Sequence, residues 1–249
     1  MIYSLVSDMG MMRQNNEDYC MAEVVNVGEK QIGLFALADG MGGHNKGEIA
    51  SKMAVEGIIK FLKSNLIQND SVKIDYIDDI LKQSYHYVNL NIYEISKNNE
   101  VYSGMGTTLV VAVIYDEKLY VANVGDSRCY LFRKDILKKI TTDHSVVESL
   151  IIARAITESQ AKTHPRRNEI TRAIGTNEIV LVDLFKVSLK SGDKILLASD
   201  GLTSYVDKEN IKHTLMKNYE VDVLSNDLIN QANQAQGRDN ISVILIEQE

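Results

Sequence analysis

The stretch Leu109–Phe132, LVVAVIYDEKLYVANVGDSRCYLF, decides the fold class of this sequence. It begins with two apolar and largely β-branched runs, Leu109–Ile114 and Leu119–Val124, of the kind that forms buried strands. The residues between them, Tyr115–Lys118, favour a hairpin turn. Strands joined by so short a connection run antiparallel, because parallel neighbours need a long crossover. The stretch therefore predicts an antiparallel sheet.

Similar strand runs and a few helical segments occur elsewhere. A third run, Cys129–Phe132, follows Gly125–Ser127, which predicts another tight turn. The other strand-like runs are Ile2–Val6, Ile32–Ala38, Ile195–Ala198 and Ile241–Ile246. The segments with the i, i+3, i+4 apolar spacing of amphipathic helices are Glu48–Leu62, Tyr76–Ile95 and Val221–Ala235. Helices packed on antiparallel sheets predict an α+β sandwich.

Nothing in the sequence divides the chain. It has 249 residues, no internal repeat, no linker rich in proline, glycine or serine, and a single proline, Pro165. We therefore expect one domain over residues 1–249. Residues 145–176 break the regular pattern, and long irregular segments often act as lids over functional sites. This segment is predicted to be a flap.

Charge and hydropathy exclude several classes of protein. The net charge of −7 argues against nucleic acid as a partner, because such binders usually carry a basic face. No apolar run approaches the ~20 residues that cross a bilayer, and no secretory signal is evident. The two cysteines, Cys20 and Cys129, have neither disulfide nor zinc spacing. We expect a cytoplasmic protein without membrane insertion, and a monomer by default.

Acidic residues lie at the ends of the predicted strands. They are Asp39, Asp126, Asp200 and Asp239, together with Glu17 and Asp18 after the first strand. Buried carboxylates are costly unless paired, and several together repel one another. Divalent cations relieve that repulsion, and oxygen ligands suit Mg²⁺ or Mn²⁺. A single Gly-Asp or Asp-Gly pair is more often a turn than a ligand, but the set together predicts a metal centre.

Eight short motifs then connect the sequence to a known family. They are Ser7-Asp8-Met9-Gly10, Arg13 with Asn16-Glu17-Asp18, Ala38-Asp39-Gly40-Met41-Gly42-Gly43-His44, Gly104-Met105-Gly106-Thr107-Thr108, Ala122-Asn123-Val124-Gly125-Asp126-Ser127-Arg128, Thr142-Asp143-His144-Ser145, Ser199-Asp200-Gly201-Leu202 and Gly237-Arg238-Asp239-Asn240. In this order they resemble the bacterial metal-dependent protein phosphatases of type 2C, the PPM family, nearly end to end. The resemblance implies a four-layer α-β-β-α sandwich, in which helices flank two antiparallel β-sheets. It also implies hydrolysis of phosphoserine and phosphothreonine in proteins by a metal-activated water, opposing a cytoplasmic Ser/Thr protein kinase.

The resemblance also implies roles for matching residues. The implied metal ligands are Glu17, Asp39, the carbonyl of Gly40, Asp200 and Asp239 for two core Mn²⁺ or Mg²⁺ ions, and Asp126 with Asp200 for a weaker third ion. Arg13 would bind the phosphate, a task that suits the bidentate geometry of a guanidinium. Asp18 would orient the attacking water, and Asn240 would support the metal ligands.

Two positions depart from the family pattern. Many eukaryotic relatives have a histidine after the Asp-Gly pair, where this sequence has Met41, which cannot donate a proton. His44 or a water on a metal ion would then protonate the leaving group, although His44 also fits an ordinary surface or helix-start position. Ser204 replaces a second acid that relatives carry four residues after Asp200, so the third ion is expected to bind more weakly.

The predicted flap and the function each leave alternatives. His164 and either Arg166 or Arg167 would contact the phosphoprotein substrate, unless the flap is a solvated loop without specific contacts. Besides an active phosphatase, two other functions are conceivable: a pseudophosphatase that binds phosphoproteins, and a hydrolase of another phosphoester such as a nucleotide. The complete acid set argues against the first alternative, and no base-stacking or ribose-binding signature supports the second.

Overall fold

The computed structural model describes residues 1–42, 46–68 and 71–249. Its strands are β1 (Ile2–Asp8), β2 (Asp18–Val27), β3 (Lys30–Met41), β4 (Ile67–Gln68), β5 (Ser71–Val72), β6 (Gly106–Thr107), β7 (Leu109–Tyr115), β8 (Lys118–Val124), β9 (Arg128–Arg133), β10 (Ile136–Lys139), β11 (Asp183–Ser188), β12 (Lys194–Ala198) and β13 (Ile241–Glu247). Its α-helices are α1 (Lys46–Leu66), α2 (Ile77–Asn98), α3 (Val146–Ile152), α4 (Glu158–Ala161), α5 (Asp200–Thr203), α6 (Lys208–Met216) and α7 (Val221–Gln234). Short 3-10 turns occur at Ile74–Tyr76 and Glu100–Tyr102.

The strands form two main sheets. The five-stranded sheet has the order β1-β13-β12-β9-β10, and the six-stranded sheet has the order β11-β8-β7-β3-β2, with β6 paired to β3. Strands β4 and β5 form a separate small hairpin. All of these pairings are antiparallel, as the sequence predicts.

Side-chain alternation along the strands builds the layers. In β3, Phe35 and Leu37 pack between the two sheets, whereas Leu34 and Ala36 pack against α1 and α2. This is the period-two alternation of a strand covered on both faces. On the other side, the five-stranded sheet buries its outer face against α5, α6 and α7. The predicted four-layer α-β-β-α sandwich is confirmed.

The two connections in the opening stretch have different structures. Strands β7 and β8 form the predicted hairpin, in which Asp116 and Glu117 make the turn with φ angles of 51° and 57°. These left-handed angles are typical of the two-residue turns that match strand twist. The prediction of a second tight turn at Gly125–Ser127 is wrong. This segment connects the six-stranded sheet to the five-stranded sheet, where β9 pairs with β12 and β10.

The structure also contains elements that the sequence pattern did not predict. Strand β2 is an edge strand of mostly half-buried residues, in which Glu23 and Asn26 interrupt the apolar residues. The segment 145–176 contains the short helices α3 and α4, a bridge between Ser145 and Ile170, and a second bridge from Ile174 to Thr107. Across the described residues, no helix has the length and apolar character needed to span a membrane.

Candidate metal and phosphate site

Two threonines fix the backbone of Asp39 near the end of β3. The Asp39 N–H donates to Thr108 Oγ1 at 2.9 Å. Its carbonyl oxygen accepts from the Thr107 hydroxyl and from the Thr108 N–H, both at 2.8 Å. Both threonines are buried. The backbone that directs the Asp39 carboxylate is therefore held from a second segment of the chain.

Asp39 and Asp200 come from different sheets and lie near each other. Asp200 begins α5 directly after β12 and shares a hydrogen bond with the Asp39 carboxyl group. Burial raises the pKa of Asp39 well above its usual range, and the surrounding carboxylates, Asp18 foremost, raise it further. Burial and the charge of Asp239 also raise the pKa of Asp200. The raised pKa values show that the full negative charge of this pair is costly without a cation nearby.

Glu17 lies against the beginning of α1. Burial raises its pKa, while Arg13 and a hydrogen bond from the Gly47 N–H act in the opposite direction. Glu17 can lie this close to α1 only because residue 40 is a glycine. The Gly40 N–H donates to the Glu17 carbonyl at 3.1 Å. A Cβ at Gly40 would lie 2.1 Å from the Gly47 carbonyl oxygen and 2.6 Å from that of Glu17. Any larger residue at Gly40 would push Glu17 and α1 away from Asp39.

Arg13 reaches the acid cluster through Asp239. Its Nη2 lies 2.7 Å from Asp239 Oδ1, which also accepts from the Asn240 N–H at 2.9 Å. The Arg13 side chain is 46% exposed, so the guanidinium joins the cluster to the surface. An exposed cation next to buried carboxylates is suited to bind an anionic substrate.

The Asn240 side chain holds the loop that carries Arg13 and Glu17. Its Oδ1 accepts from the Glu17 N–H at 2.8 Å. Its Nδ2 donates to the carbonyl oxygens of Met9 at 2.9 Å and Asn15 at 2.8 Å. Asn240 thus connects the start of β13 to the loop after β1.

Asp18 and Asp126 extend the cluster on either side of Asp39. Asp18 lies opposite Asp39 in the β2–β3 register, and burial raises its pKa to about 7. Asp126 lies in the connection between β8 and β9, where burial and the charge of Asp200 raise its pKa to about 7. The structure therefore brings all six predicted acids into one electrostatically coupled region.

The donor set fits hard divalent cations, although the side chains are not arranged as a complete site. Within residues 1–42, 46–68 and 71–249, no three acidic, histidine or cysteine side chains stand where they could hold one ion. Asp239 is turned to Arg13, and Asp39 is hydrogen-bonded to Asp200. In the same ranges, the buried Asp18 Oδ1 has no hydrogen-bond partner. Clustered carboxylate oxygens with raised pKa values suit Mg²⁺ or Mn²⁺, whose charge would offset the repulsion among them.

The predicted flap residues His164 and Arg166 contact residues close to them in sequence. Arg166 forms a bidentate ion pair with Glu169, with N···O distances of 2.6 and 2.7 Å, and both side chains are exposed. His164 Nδ1 accepts from the Arg166 N–H at 3.1 Å. His44 lies outside the described residues. The proposed roles of these residues in substrate binding and proton transfer stay predictions.

Sequence reasoning missed the hydroxyl groups that support the acids. Thr107 and Thr108 were noted only as part of a family motif, and Ser242 was not singled out. Ser199 Oγ donates to Asp18 Oδ2 at 2.8 Å and accepts from the Ser242 N–H at 3.0 Å. The only available signal was the position of Ser199 and Thr108 beside an acid or at a strand end, which many serines and threonines share.

The fold and the site define a phosphohydrolase of the α-β-β-α sandwich class. The family described as protein phosphatase 2C matches residues 5–241, and the chain belongs to this family. It is 37% identical over 245 residues to protein phosphatase PhpP of Streptococcus pneumoniae serotype 2, covering 98% of this chain and 96% of that protein. It is 36% identical over 241 residues to the serine/threonine phosphatase stp of Listeria innocua, covering 97% and 93%. The chain is thus a protein-serine/threonine phosphatase of the bacterial type.

Solved structures agree with this assignment. The S. agalactiae serine/threonine phosphatase superposes with a TM-score of 0.90 at 36% identity, over 100% of this chain and 99% of that one. The catalytic domain of the phosphatase PstP, in complex with two manganese ions, superposes with a TM-score of 0.84 at 32% identity, over 99% of this chain and 97% of that one. Both similarities extend over nearly the whole chain.

Proposed function

We propose that this phosphatase hydrolyses phosphoserine and phosphothreonine in proteins with divalent cations bound at the acid cluster. The observation that carries the proposal is the convergence of Asp39 and Asp200, two partly buried acids at the ends of strands from different sheets, where the charge of Asp200 helps to raise the pKa of Asp39. A pair of this kind is a site where a cation can replace a proton. The similar PstP domain with two manganese ions supports a two-ion core.

The proposed ligands divide between the two sheets. Those for the two core ions are Glu17, Asp39, the carbonyl of Gly40, Asp200 and Asp239, and those for a weaker third ion are Asp126 and Asp200. Divalent cations held there would activate water near neutral pH and neutralise phosphoryl oxygens. Either Mn²⁺ or Mg²⁺ fits these oxygen donors.

Arg13 and Asp18 are proposed to act on the reactants directly. Arg13 would exchange its contact with Asp239 for a bidentate contact with the phosphate, since its guanidinium is already half exposed. Asp18 would accept a hydrogen bond from the attacking water through Oδ1, and so hold the water in line with the phosphorus. Asn240 would maintain the loop that carries Arg13 and Glu17.

The biological setting follows from the substrate class. Protein phosphoserine and phosphothreonine are products of Ser/Thr kinases, so we propose that this enzyme opposes such a kinase in the cytoplasm. We further propose that residues 1–249 act as a single monomeric domain, and that segment 145–176 is its flap. Size-exclusion chromatography with light scattering tests the monomer, and a dimer mass at low micromolar concentration contradicts it.

A metal-dependence assay tests the central proposal. Turnover of p-nitrophenyl phosphate and of a phosphothreonine peptide is measured with Mn²⁺, with Mg²⁺ and with EDTA. We expect turnover with the metals and its loss in EDTA, restored by excess Mn²⁺. Turnover that persists unchanged in EDTA, or none with either metal, contradicts the proposal.

Matched substitutions locate the metal site. Asp200→Asn keeps the size of the side chain but removes a ligand charge, and we expect a loss of at least about 100-fold in kcat/KM. Asp227→Asn is the control, because Asp227 pairs with Lys217 on the surface. Asp227→Asn should retain wild-type activity. Full activity of Asp200→Asn would remove Asp200 from the ligand set.

A further inference from the structure

The serine before Asp200 stands at a helix start but does not cap the helix. Ser199 is the N-cap residue of α5, a position at which serine side chains usually accept from a backbone N–H of the first turn. Its side chain makes no such hydrogen bond. The hydroxyl instead donates to Asp18 Oδ2 at 2.8 Å, across 181 residues of sequence. The Ser199 hydroxyl therefore makes a long-range hydrogen bond instead of capping the helix.

The direction of this hydroxyl is determined by its surroundings. Ser199 Oγ accepts from the Ser242 N–H at 3.0 Å, while the Ser199 N–H donates to the Ser242 carbonyl at 3.0 Å. Because Oγ already accepts one hydrogen bond from β13, its own proton is free to point at Asp18. Hydrogen bonds arranged in such a chain polarise and strengthen one another. Both serines are fully buried, so no bulk water competes for these groups.

The arrangement treats the two oxygens of Asp18 differently. Oδ2 is held by Ser199, whereas Oδ1 has no hydrogen-bond partner among the residues that the structure describes. The Asp18 side chain is 5% exposed and lies opposite Asp39 across the β2–β3 pair. Because a hydrogen bond fixes Oδ2, the carboxylate has one preferred orientation, and Oδ1 points in a constant direction.

We infer that Ser199 is a positioning residue, which fixes Asp18 so that Oδ1 faces the reacting water. This inference rests on the proposed function, in which Asp18 orients that water. The inference gives two neighbouring residues different roles. Asp200 would bind the metal ions, and Ser199 would orient Asp18 toward the attacking water. Loss of Ser199 should therefore lower kcat without changing metal or substrate binding.

Kinetics of Ser199→Ala test this separation. We expect kcat with saturating Mn²⁺ to fall about tenfold, the size of one hydrogen bond to a charged group. The KM for p-nitrophenyl phosphate and the Mn²⁺ concentration for half-activation should stay within about twofold of wild type. Ser225→Ala is the matched control, because Ser225 in α7 is equally buried and its hydroxyl has no partner within the described ranges. Ser225→Ala should keep the wild-type kcat.

A double-mutant cycle shows whether Ser199 acts through Asp18. In an Asp18→Ala background, the further change Ser199→Ala should alter kcat by less than about twofold. An equal loss in both backgrounds contradicts the inference, as does a wild-type kcat in Ser199→Ala. A raised Mn²⁺ requirement with unchanged kcat also contradicts it, because that result assigns Ser199 to the metal ligand Asp200.

Crystal structures provide a readout that does not depend on turnover. The Asp18 side chain should rotate in Ser199→Ala and keep its wild-type rotamer in Ser225→Ala. An unchanged Asp18 rotamer in Ser199→Ala overturns the inference even if the enzyme lacks phosphatase activity. Absent metal-dependent turnover in the wild type would instead count against the proposed function alone. If Ser199→Ala does not fold, Ser199→Cys, which keeps the size but donates weakly, carries the same measurements.

Discussion

The acid cluster and the exposed Arg166–Glu169 pair in the segment 145–176 are held in opposite ways. In the cluster, the side chain of Asn240 binds the Glu17 N–H across 223 residues of sequence. In the flap, Arg166 pairs with Glu169, three residues away and in full contact with solvent. Long-range hydrogen bonds fix a geometry that only the folded chain can provide, whereas local surface pairs adjust cheaply. We conclude that the geometry of the cluster depends on the folded chain, whereas the Arg166–Glu169 pair can rearrange at little cost.

The largest expected effect comes from Asn240→Ala. The substitution leaves the Glu17 N–H and the carbonyl groups of Met9 and Asn15 without their buried partner. We expect a loss of about 2–4 kcal/mol in the free energy of unfolding and a loss of about 100-fold in kcat/KM, since Arg13 and Glu17 are no longer held in place. Denaturant unfolding and steady-state kinetics measure both quantities.

The matched control for this variant is Asn226→Ala. Asn226 is exposed on α7 and donates only to the Asp222 carbonyl within its own helix. Its replacement should change neither stability nor activity measurably. If Asn240→Ala behaves like this control, long-range contacts do not hold the site.

A smaller effect is expected when the same substitution is made in each region. Thr108→Val removes the hydroxyl that accepts from the Asp39 N–H and contacts Ser127 Oγ at 2.7 Å, and it should destabilise the fold by about 1–3 kcal/mol. Thr163→Val in the flap removes an exposed hydroxyl 3.4 Å from the Gln160 carbonyl and should stay within about 0.5 kcal/mol of wild type. Equal effects on thermal unfolding would remove the contrast between the two regions.

His144 joins the two regions and makes their connection sensitive to pH. Its Nδ1 accepts from the Gly125 N–H at 3.0 Å, and its carbonyl accepts from the Thr171 N–H at 2.8 Å. Nε2 lies 3.2 Å from Asp183 Oδ2, but this contact is too poorly aligned to satisfy Nε2 fully. Burial lowers the pKa of His144 below its ordinary 6.5, against the opposing effect of Asp183.

The lowered pKa sets the sign of the pH dependence. The unfolded chain protonates His144 more readily than the folded chain does, so this contribution to stability is present above pH 6.5 and is lost as the pH falls through the folded pKa. His144→Asn keeps an acceptor for the Gly125 N–H and does not titrate. We expect the free energy of unfolding of this variant to rise relative to that of the wild type as the pH falls. Taking the difference between the two proteins at each pH removes the pH dependence that the acid cluster contributes to both. A constant difference between pH 8 and pH 5 would contradict this account.

The smallest effect is expected in the flap itself. Arg166→Ala should raise the KM for a phosphothreonine peptide about threefold, because a partly solvated cation contributes little to binding. Turnover of p-nitrophenyl phosphate should not change, since this substrate is too small to reach the flap. Glu169→Gln frees the guanidinium from its ion pair and should shift the peptide KM in the opposite direction. A loss of p-nitrophenyl phosphate turnover in Arg166→Ala would place Arg166 in the catalytic centre.

The sequence predicts more of the layers than of the connections between them. Continuous apolar runs indicate the strands of the β7–β8 hairpin, and the i, i+3, i+4 apolar spacing indicates the helices α1, α2 and α7, because each of these patterns is local. The role of Gly125–Ser127 was mistaken, since a short glycine-containing segment between two strands has the same composition whether it turns within a sheet or crosses to another. The sequence pattern does not predict strand β2, because Glu23 and Asn26 divide its apolar residues into short pieces.

The residues of the candidate site also fall into a predictable group and an unpredictable group. The positions of the acids are predictable, because a carboxylate after an apolar strand run is costly without a cation. The groups that orient them are not: Ser199 has the sequence position of an ordinary helix cap, and only the folded chain places its hydroxyl at Asp18. The contact between Arg13 and Asp239 likewise joins residues that no local pattern relates.

The pairing of β1 with β13 has a consequence for how the protein acquires activity during synthesis. The two strands pair along their whole length, from Ile2 opposite Glu247 to Asp8 opposite Ile241. On the ribosome, β1 emerges early but has to wait for β13 before it can join its sheet. Contacts of such long sequence separation form late in folding. A nascent chain that lacks β13 therefore contains Glu17 and Asp39 without Asp239, and the acid cluster is complete only after β13 has been made and has paired with β1.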